Sequence, residues 1–177
     1  MTISNDSRAR VKAIFEPIAL AMGRLGLTPD ALTLIGFGIT VVGAILLAMQ
    51  QWLIGGIVVF AGGVFDMFDG TLARATGKVS PLGAFMDSVF DRWGEAIVYL
   101  GIVVGCLGFF GEPHSIVNFT LGAVLAAAAM GAAFMVSYAR AKSEGLGFTE
   151  GTGMAAIGVM PREVRLVVLS LGCVLAG

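Results

Sequence analysis

Charge is scarce in this chain, and so are the side chains on which most enzymes rely. Of 177 residues, 12 are Asp or Glu and 11 are Lys or Arg, 13% in all against 57% hydrophobic. That balance is too apolar for a water-soluble domain of this length and points to a membrane. A formal net charge of −1 offers no basic excess, which argues against a nucleic-acid partner. His114 is the single histidine, so histidine-based triads and histidine-clustered metal sites are excluded. Cys106 and Cys173 stand alone in apolar runs, make neither a disulfide framework nor a cysteine zinc site, and read as small apolar fillers. The first thirty residues, with Arg8, Arg10, Lys12 and Arg24, hold no uninterrupted apolar core and do not read as a cleaved signal peptide. Chemistry is left to carboxylates, arginines, hydroxyls and backbone.

What the chain does have is long apolar stretches. No charge falls between Asp30 and Asp66, enough at ~1.5 Å per residue to cross a bilayer about once and turn back, with Gln50-Gln51-Trp52 marking the hairpin. Spans are expected over 31–49, 53–75, 81–109 and 115–140, and a fifth helix from Arg162 onward. Only about a dozen residues follow Arg165, fewer than the ~20 of a span, so the chain reads as a piece lacking its last helices. Before the first span, Val11, Ile14, Phe15, Ile18, Ala19, Met22 and Leu25 recur at helical spacing, broken by Pro17. They predict an amphipathic helix lying in the membrane interface. The expected fold is therefore all-α: a polytopic transmembrane helix bundle over 31–177, preceded by an interfacial helix and entry segment over 1–30.

With the N-terminus cytoplasmic, Arg8, Arg10, Lys12, Arg24, Arg74, Lys78, Arg140, Lys142, Arg162 and Arg165 all fall at the inner side. The loops around Gln50 and Glu112-Pro113-His114 then lie outside without Lys or Arg, as the positive-inside rule requires. Gly101 and Gly105 form a small-xxx-small pattern expected to pack helices within the chain. Trp52 is expected in the outer interface belt and Trp93 in the core, while Arg92 and Glu95 pair or line a pocket.

Four acids break the apolar runs. Asp66 and Asp69 lie three apart and Asp87 and Asp91 four apart, so each pair projects from one helical face. An Asp at mid-bilayer costs about 2.5–3.5 kcal/mol, so four of them need a purpose. Both pairs flank the turn from Gly77 to Pro81 and should meet at similar depth. Converging carboxylates repel unless they share protons or hold cations, and oxygen ligands favour hard ions such as Mg²⁺, Mn²⁺ or Ca²⁺. One or two divalent ions are predicted. Gly70 makes room beside them, and Arg74 and Lys78 can hold phosphate oxygens in the same mouth. A cation or proton pathway, as in a transporter, is the competing reading of the acids alone.

Asp66-Met-Phe-Asp69-Gly70-Thr-Leu-Ala73-Arg74, followed at fixed gaps by Gly83, Asp87 and Asp91, resembles the signature of the CDP-alcohol phosphatidyltransferase family at every fixed position. The resemblance implies six membrane helices after an interfacial one, of which about five are visible here. It also implies a homodimer, and transfer of a phosphatidyl or archaetidyl group from a CDP-linked lipid to an alcohol with release of CMP. By motif position, Asp66, Asp69, Asp87 and Asp91 resemble the ligands of Mg²⁺ or Mn²⁺, and Asp91 the general base. Gly70, Arg74 and Ser80, with Pro29, Asp30, Ala31, Leu32 and Thr33, resemble the residues lining the CDP-lipid site. Thr28-Pro29-Asp30 is equally a helix entry with Asp30 as its cap.

Arg140 and Lys142 close the fourth span, and Arg162 and Arg165 open the next helix at the same face. Within the family this looks like the phosphatidylinositol-phosphate synthases of actinobacterial type and their archaeal relatives, whose acceptor is inositol 1-phosphate. Arg140, Arg162 and Arg165 would then hold the acceptor phosphate and leave a ring hydroxyl for Asp91. Glycerol 3-phosphate, also a phosphorylated polyol, is the rival acceptor. The stretch from Gly145 to Gly158, with Glu150, is expected as an inner loop that closes over the site or merely connects.

Overall fold

The computed structural model describes residues 5–110, 119–147 and 162–176, and among these every regular element is a helix. They are α1 (Asn5–Arg24), α2 (Pro29–Ala48), α3 (Trp52–Ala75), α4 (Pro81–Leu107), α5 (Phe119–Gly145) and α6 (Arg162–Ala176). Three of them, α2, α3 and the stretch Thr120–Ser143 of α5, are long and apolar enough to cross a membrane. α4 matches α5 at 27 residues but carries Asp87, Asp91, Arg92 and Glu95. α6, at 15 residues, spans only about 22 Å. Large apolar side chains such as Leu34, Val42, Ile45, Ile57, Phe60 and Leu100 point outward, as hydrocarbon permits and water does not. The chain is a helical membrane bundle.

α2 is the hub, lying against α3 and α4, while α6 packs on α3 and α5 on α4. The approach is close because small residues line the seams. A Cβ on Gly62 of α3 would stand 2.5 Å from Thr40 Oγ1 of α2. A Cβ on Gly101 of α4 would collide with the Ala44 carbonyl oxygen, and one on Gly105 with that of Leu47. The Gly101–Gly105 pattern thus serves packing inside the monomer. Leu47, Val59, Val98, Leu166 and Cys173 form one core cluster, with Trp52 against it.

A second cluster, Ala19, Leu32, Phe68 and Leu72, ties α1 to the bundle, and Phe15 stacks at 5.1 Å on Phe68. Of the apolar face predicted for the N-terminal helix, Phe15, Ala19 and Met22 pack against the bundle, while Ile18 and Leu25 are exposed and the side chains of Val11 and Ile14 lie outside the described residues. α1 also runs through Pro17, which the sequence reading took as a break; losing one internal hydrogen bond is tolerated because that face is held by packing. Trp93 departs from its expected core position and is 60% exposed, since α4 turns its adjacent Gly94 toward Phe37 and Thr40 of α2. Residues 115–118 of the expected fourth span, the outer loop with His114, and the glycine-rich loop beyond residue 147 lie outside the described residues.

Candidate active site

The site grows from the turn between α3 and α4. α3 stops where Gly77 takes a φ of 67°, and the Lys78 N–H closes onto Ala73 O at 2.9 Å, an ending that glycine adopts without steric cost. α4 begins at once: Ser80, in extended conformation, accepts the Gly83 N–H at 3.0 Å, and Pro81 takes the first helical position, where its missing N–H costs nothing. The reversal lays the last turns of α3 against the first turns of α4, so that the two acid pairs face each other.

Oxygens of Asp66, Asp69 and Asp87 lie within 4.8 Å of one another. Two like charges at about that separation repel by about 3 kcal/mol at an effective dielectric constant near 20, so the trio calls for a cation. A set made only of carboxylate oxygens on two adjoining helices fits a hard divalent ion. Asp91, one helical turn further along α4, stands outside this group, so the structure gathers three of the four predicted ligands into one cluster. The physical reason is the rise of the helix, about 6 Å from Asp87 to Asp91.

Asp69, only 6% exposed, is held at both oxygens. Thr33 Oγ1 of α2 donates to Oδ2 at 2.5 Å, and the Gly70 N–H donates to Oδ1. Thr33 Oγ1 also lies 3.2 Å from Pro29 O, but the hydroxyl has one proton and the shorter, charged acceptor wins it. Thr33, assigned by resemblance to the lipid site, thus stands behind a carboxylate of the cluster.

The other expected lipid-site residues gather at the same end with some changes of part. The space opened by Gly70 is taken by Arg74: a Cβ there would lie 3.2 Å from Arg74 Nη1. The guanidinium therefore lies over Gly70, beside the acidic turn. The cap of α2 is Thr28, whose Oγ1 accepts the Ala31 N–H at 3.2 Å, and not Asp30; with Pro29 at the first helical position the capping residue must precede it. Asp30 reaches across to the entry of α4, its Oδ1 3.6 Å from where Gly83 would carry a Cβ. Leu32 is fully buried in the α1–α3 core, so its side chain is no wall of an open site. Lys78 lines, with Arg24, Leu20, Leu27 and Thr76, a crevice of about 260 Å³ between α1 and α3.

Arg165 is committed more deeply than the sequence suggested. Its Nε lies 2.7 Å from Glu95 Oε1 and its Nη2 2.9 Å from Oε2, a bidentate pair with Glu95 1% exposed. The predicted partner of Glu95, Arg92, is present but weaker, 4.0 Å from Oε2. Sequence reasoning missed the main pair because its members are 70 residues apart. The usable signal was the run Asp87, Asp91, Glu95, one acid per turn on a single face of α4. Arg140 is exposed near the end of α5, and Arg162 opens α6 with its side chain outside the described residues.

The sequence profile of the CDP-alcohol phosphatidyltransferases matches residues 26–176. The chain belongs to that family. It is 36% identical over 162 residues to an archaetidylinositol phosphate synthase of Pyrococcus horikoshii, covering 92% of this chain and 77% of the relative. It is 35% identical over 166 residues to a phosphatidylinositol phosphate synthase of Cutibacterium acnes, covering 91% and 72%. Among solved structures, the phosphatidylinositol phosphate synthase of Mycobacterium tuberculosis with CDP-DAG bound superposes with a TM-score of 0.66 at 26% identity, covering 93% of this chain and 91% of that one. The same enzyme in complex with manganese and citrate gives a TM-score of 0.65 at 26% identity, covering 92% and 86%. Membership makes this chain a membrane transferase and decides against the ion pathway that the acids alone left open.

Proposed function

We propose that this enzyme transfers a phosphatidyl or archaetidyl group from a CDP-linked lipid to a hydroxyl of inositol 1-phosphate, releasing CMP, at the cytoplasmic face of the cell membrane. The observation that carries the reading is the cluster of Asp66, Asp69 and Asp87 at the same end of the bundle as Arg74, Asp91 and Arg165. The acceptor assignment draws its support from relatives named for inositol phosphate products, and the orientation from the basic residues at that end.

Asp66, Asp69 and Asp87 would hold one or two Mg²⁺ or Mn²⁺ ions, which when bound neutralise the charge of the donor pyrophosphate, and Asp91 stands beside this trio rather than within it. Arg74, lying over Gly70, holds a phosphate oxygen of the CMP half. Asp91 accepts the proton of the attacking hydroxyl; the acceptor oxygen bonds to the lipid-bearing phosphorus as its bond to the CMP oxygen breaks. No covalent enzyme intermediate is required. Arg165, with Arg140 and Arg162, holds the acceptor phosphate and so presents a ring hydroxyl to Asp91. α1 lies along the membrane interface while its apolar face grips α3, and the working unit is a homodimer.

The test is acceptor-dependent CMP release by purified protein in detergent, given CDP-diacylglycerol and Mn²⁺. Release is expected with inositol 1-phosphate and not with inositol. Release with glycerol 3-phosphate alone would reassign the acceptor, and release with neither phosphate would overturn the proposal.

A further inference from the structure

Glu95 takes no part in the chemistry described above, yet it is the most deeply buried acid among the described residues, at 1% exposure. It follows Asp91 by one helical turn on the face of α4 that carries Asp87, so it lies one turn deeper along α4 than the candidate base. A carboxylate in that place needs cations, and two converge on it from different elements. Arg165, from the first turn of α6, grips it through Nε and Nη2 at 2.7 and 2.9 Å. Arg92, on α4 itself, brings Nη1 to 4.0 Å from Oε2.

The geometry has two consequences. A bidentate grip along one edge fixes both the plane and the heading of the Arg165 guanidinium, which a single hydrogen bond does not. The Arg92 Nη1 atom is buried and has no hydrogen-bond partner among the described residues. A buried cationic donor left in that condition is suited to an anionic oxygen that arrives with a ligand. α6 packs mainly against α3, where Leu166 meets Gly63 and Cys173 meets Gly56, and it shares a core cluster with Val98 of α4. The bidentate pair with Glu95 thus fixes how the Arg165 guanidinium approaches α4.

We propose that Glu95 is a positioning residue for acceptor recognition, acting through Arg165 and Arg92, whose guanidinium groups it holds one helical turn beyond Asp91 to receive the acceptor's phosphate monoester. The inference rests on the acceptor-phosphate reading of Arg165, and the variants separate the two. In the CMP-release assay, Glu95→Gln keeps the shape of the side chain and removes its charge. It is expected to raise the KM for inositol 1-phosphate tenfold or more, with the KM for CDP-diacylglycerol and substrate-free Mn²⁺ binding within twofold of wild type. Glu95→Asp, which keeps the charge on a shorter arm, should recover part of that loss, and Arg92→Gln should raise the acceptor KM alone.

A merely structural ion pair would instead lower the melting temperature and move both KM values together, and that result overturns the proposal. An unchanged acceptor KM in Glu95→Gln does the same. Should that variant fail to fold, Glu95→Asp and Arg92→Gln carry the test, and unchanged acceptor KM in both counts against the proposal. If Arg165→Ala raises the acceptor KM while the Glu95 and Arg92 variants do not, this inference alone falls. If Arg165→Ala leaves it unchanged, the acceptor-phosphate reading falls with it.

Discussion

Replacing Thr33 by Val isolates one hydrogen bond at the acidic cluster. The two side chains have nearly the same shape, so the packing of α2 on α3 is kept, while Asp69 Oδ2 loses the hydroxyl that donates to it at 2.5 Å. A hydrogen bond to a charged group contributes about 1.5–3 kcal/mol. At about 1.4 kcal/mol per tenfold change in an equilibrium constant, that is one to two powers of ten. The same range, about 10- to 100-fold, is typical when a partner that orients a metal ligand is removed. The loss is expected in full because Asp69 is nearly sealed from solvent, so water does not replace the hydroxyl. The measurement is Mn²⁺ binding to purified protein in detergent, without nucleotide or lipid substrate, read from the spin-resonance signal of the free ion. Thr33→Val should raise the dissociation constant at least tenfold, and Thr33→Ser, which keeps the hydroxyl, should stay within threefold of wild type. Val binding Mn²⁺ as tightly as Thr, or Ser failing as badly as Val, would refute the view that this hydroxyl orients Asp69 for a cation.

Asp91→Asn should lower CMP release by about 10²- to 10⁴-fold, the usual worth of a general base, while leaving Mn²⁺ affinity within severalfold of wild type because Asp91 stands outside the close trio. Equal losses in binding and turnover would instead make Asp91 a full ligand. Gly101→Ala forces a methyl against the Ala44 carbonyl oxygen, and backbone yields less readily than side chain. A destabilisation of about 1–3 kcal/mol is expected, seen as a lower melting temperature in detergent, with Gly131→Ala, which meets open space, as the neutral control.

The linear order of residues was enough for the helical bundle and its approximate bounds, because a bilayer demands long apolar runs and punishes charge inside them. It was enough, too, for the acidic cluster as a class of site. Spacing of three and four puts each acid pair on one face, and a turn closed by Gly77 and Pro81 leaves the two faces little choice but to meet. What the tertiary structure decided is how each polar group is spent. Thr33 and Asp69 lie on different helices, 36 residues apart, and Glu95 and Arg165 70 apart; no local periodicity encodes such partnerships. They follow from the close approach of α2 to α3 through Gly36, Thr40 and Gly62, and from the reach of a long arginine from α6 to α4. Trp93 shows the limit from the other direction: an aromatic beside the motif looks like core in one dimension. Its exposure is set by which face of α4 the neighbouring helix α2 covers, a matter of packing that composition does not carry.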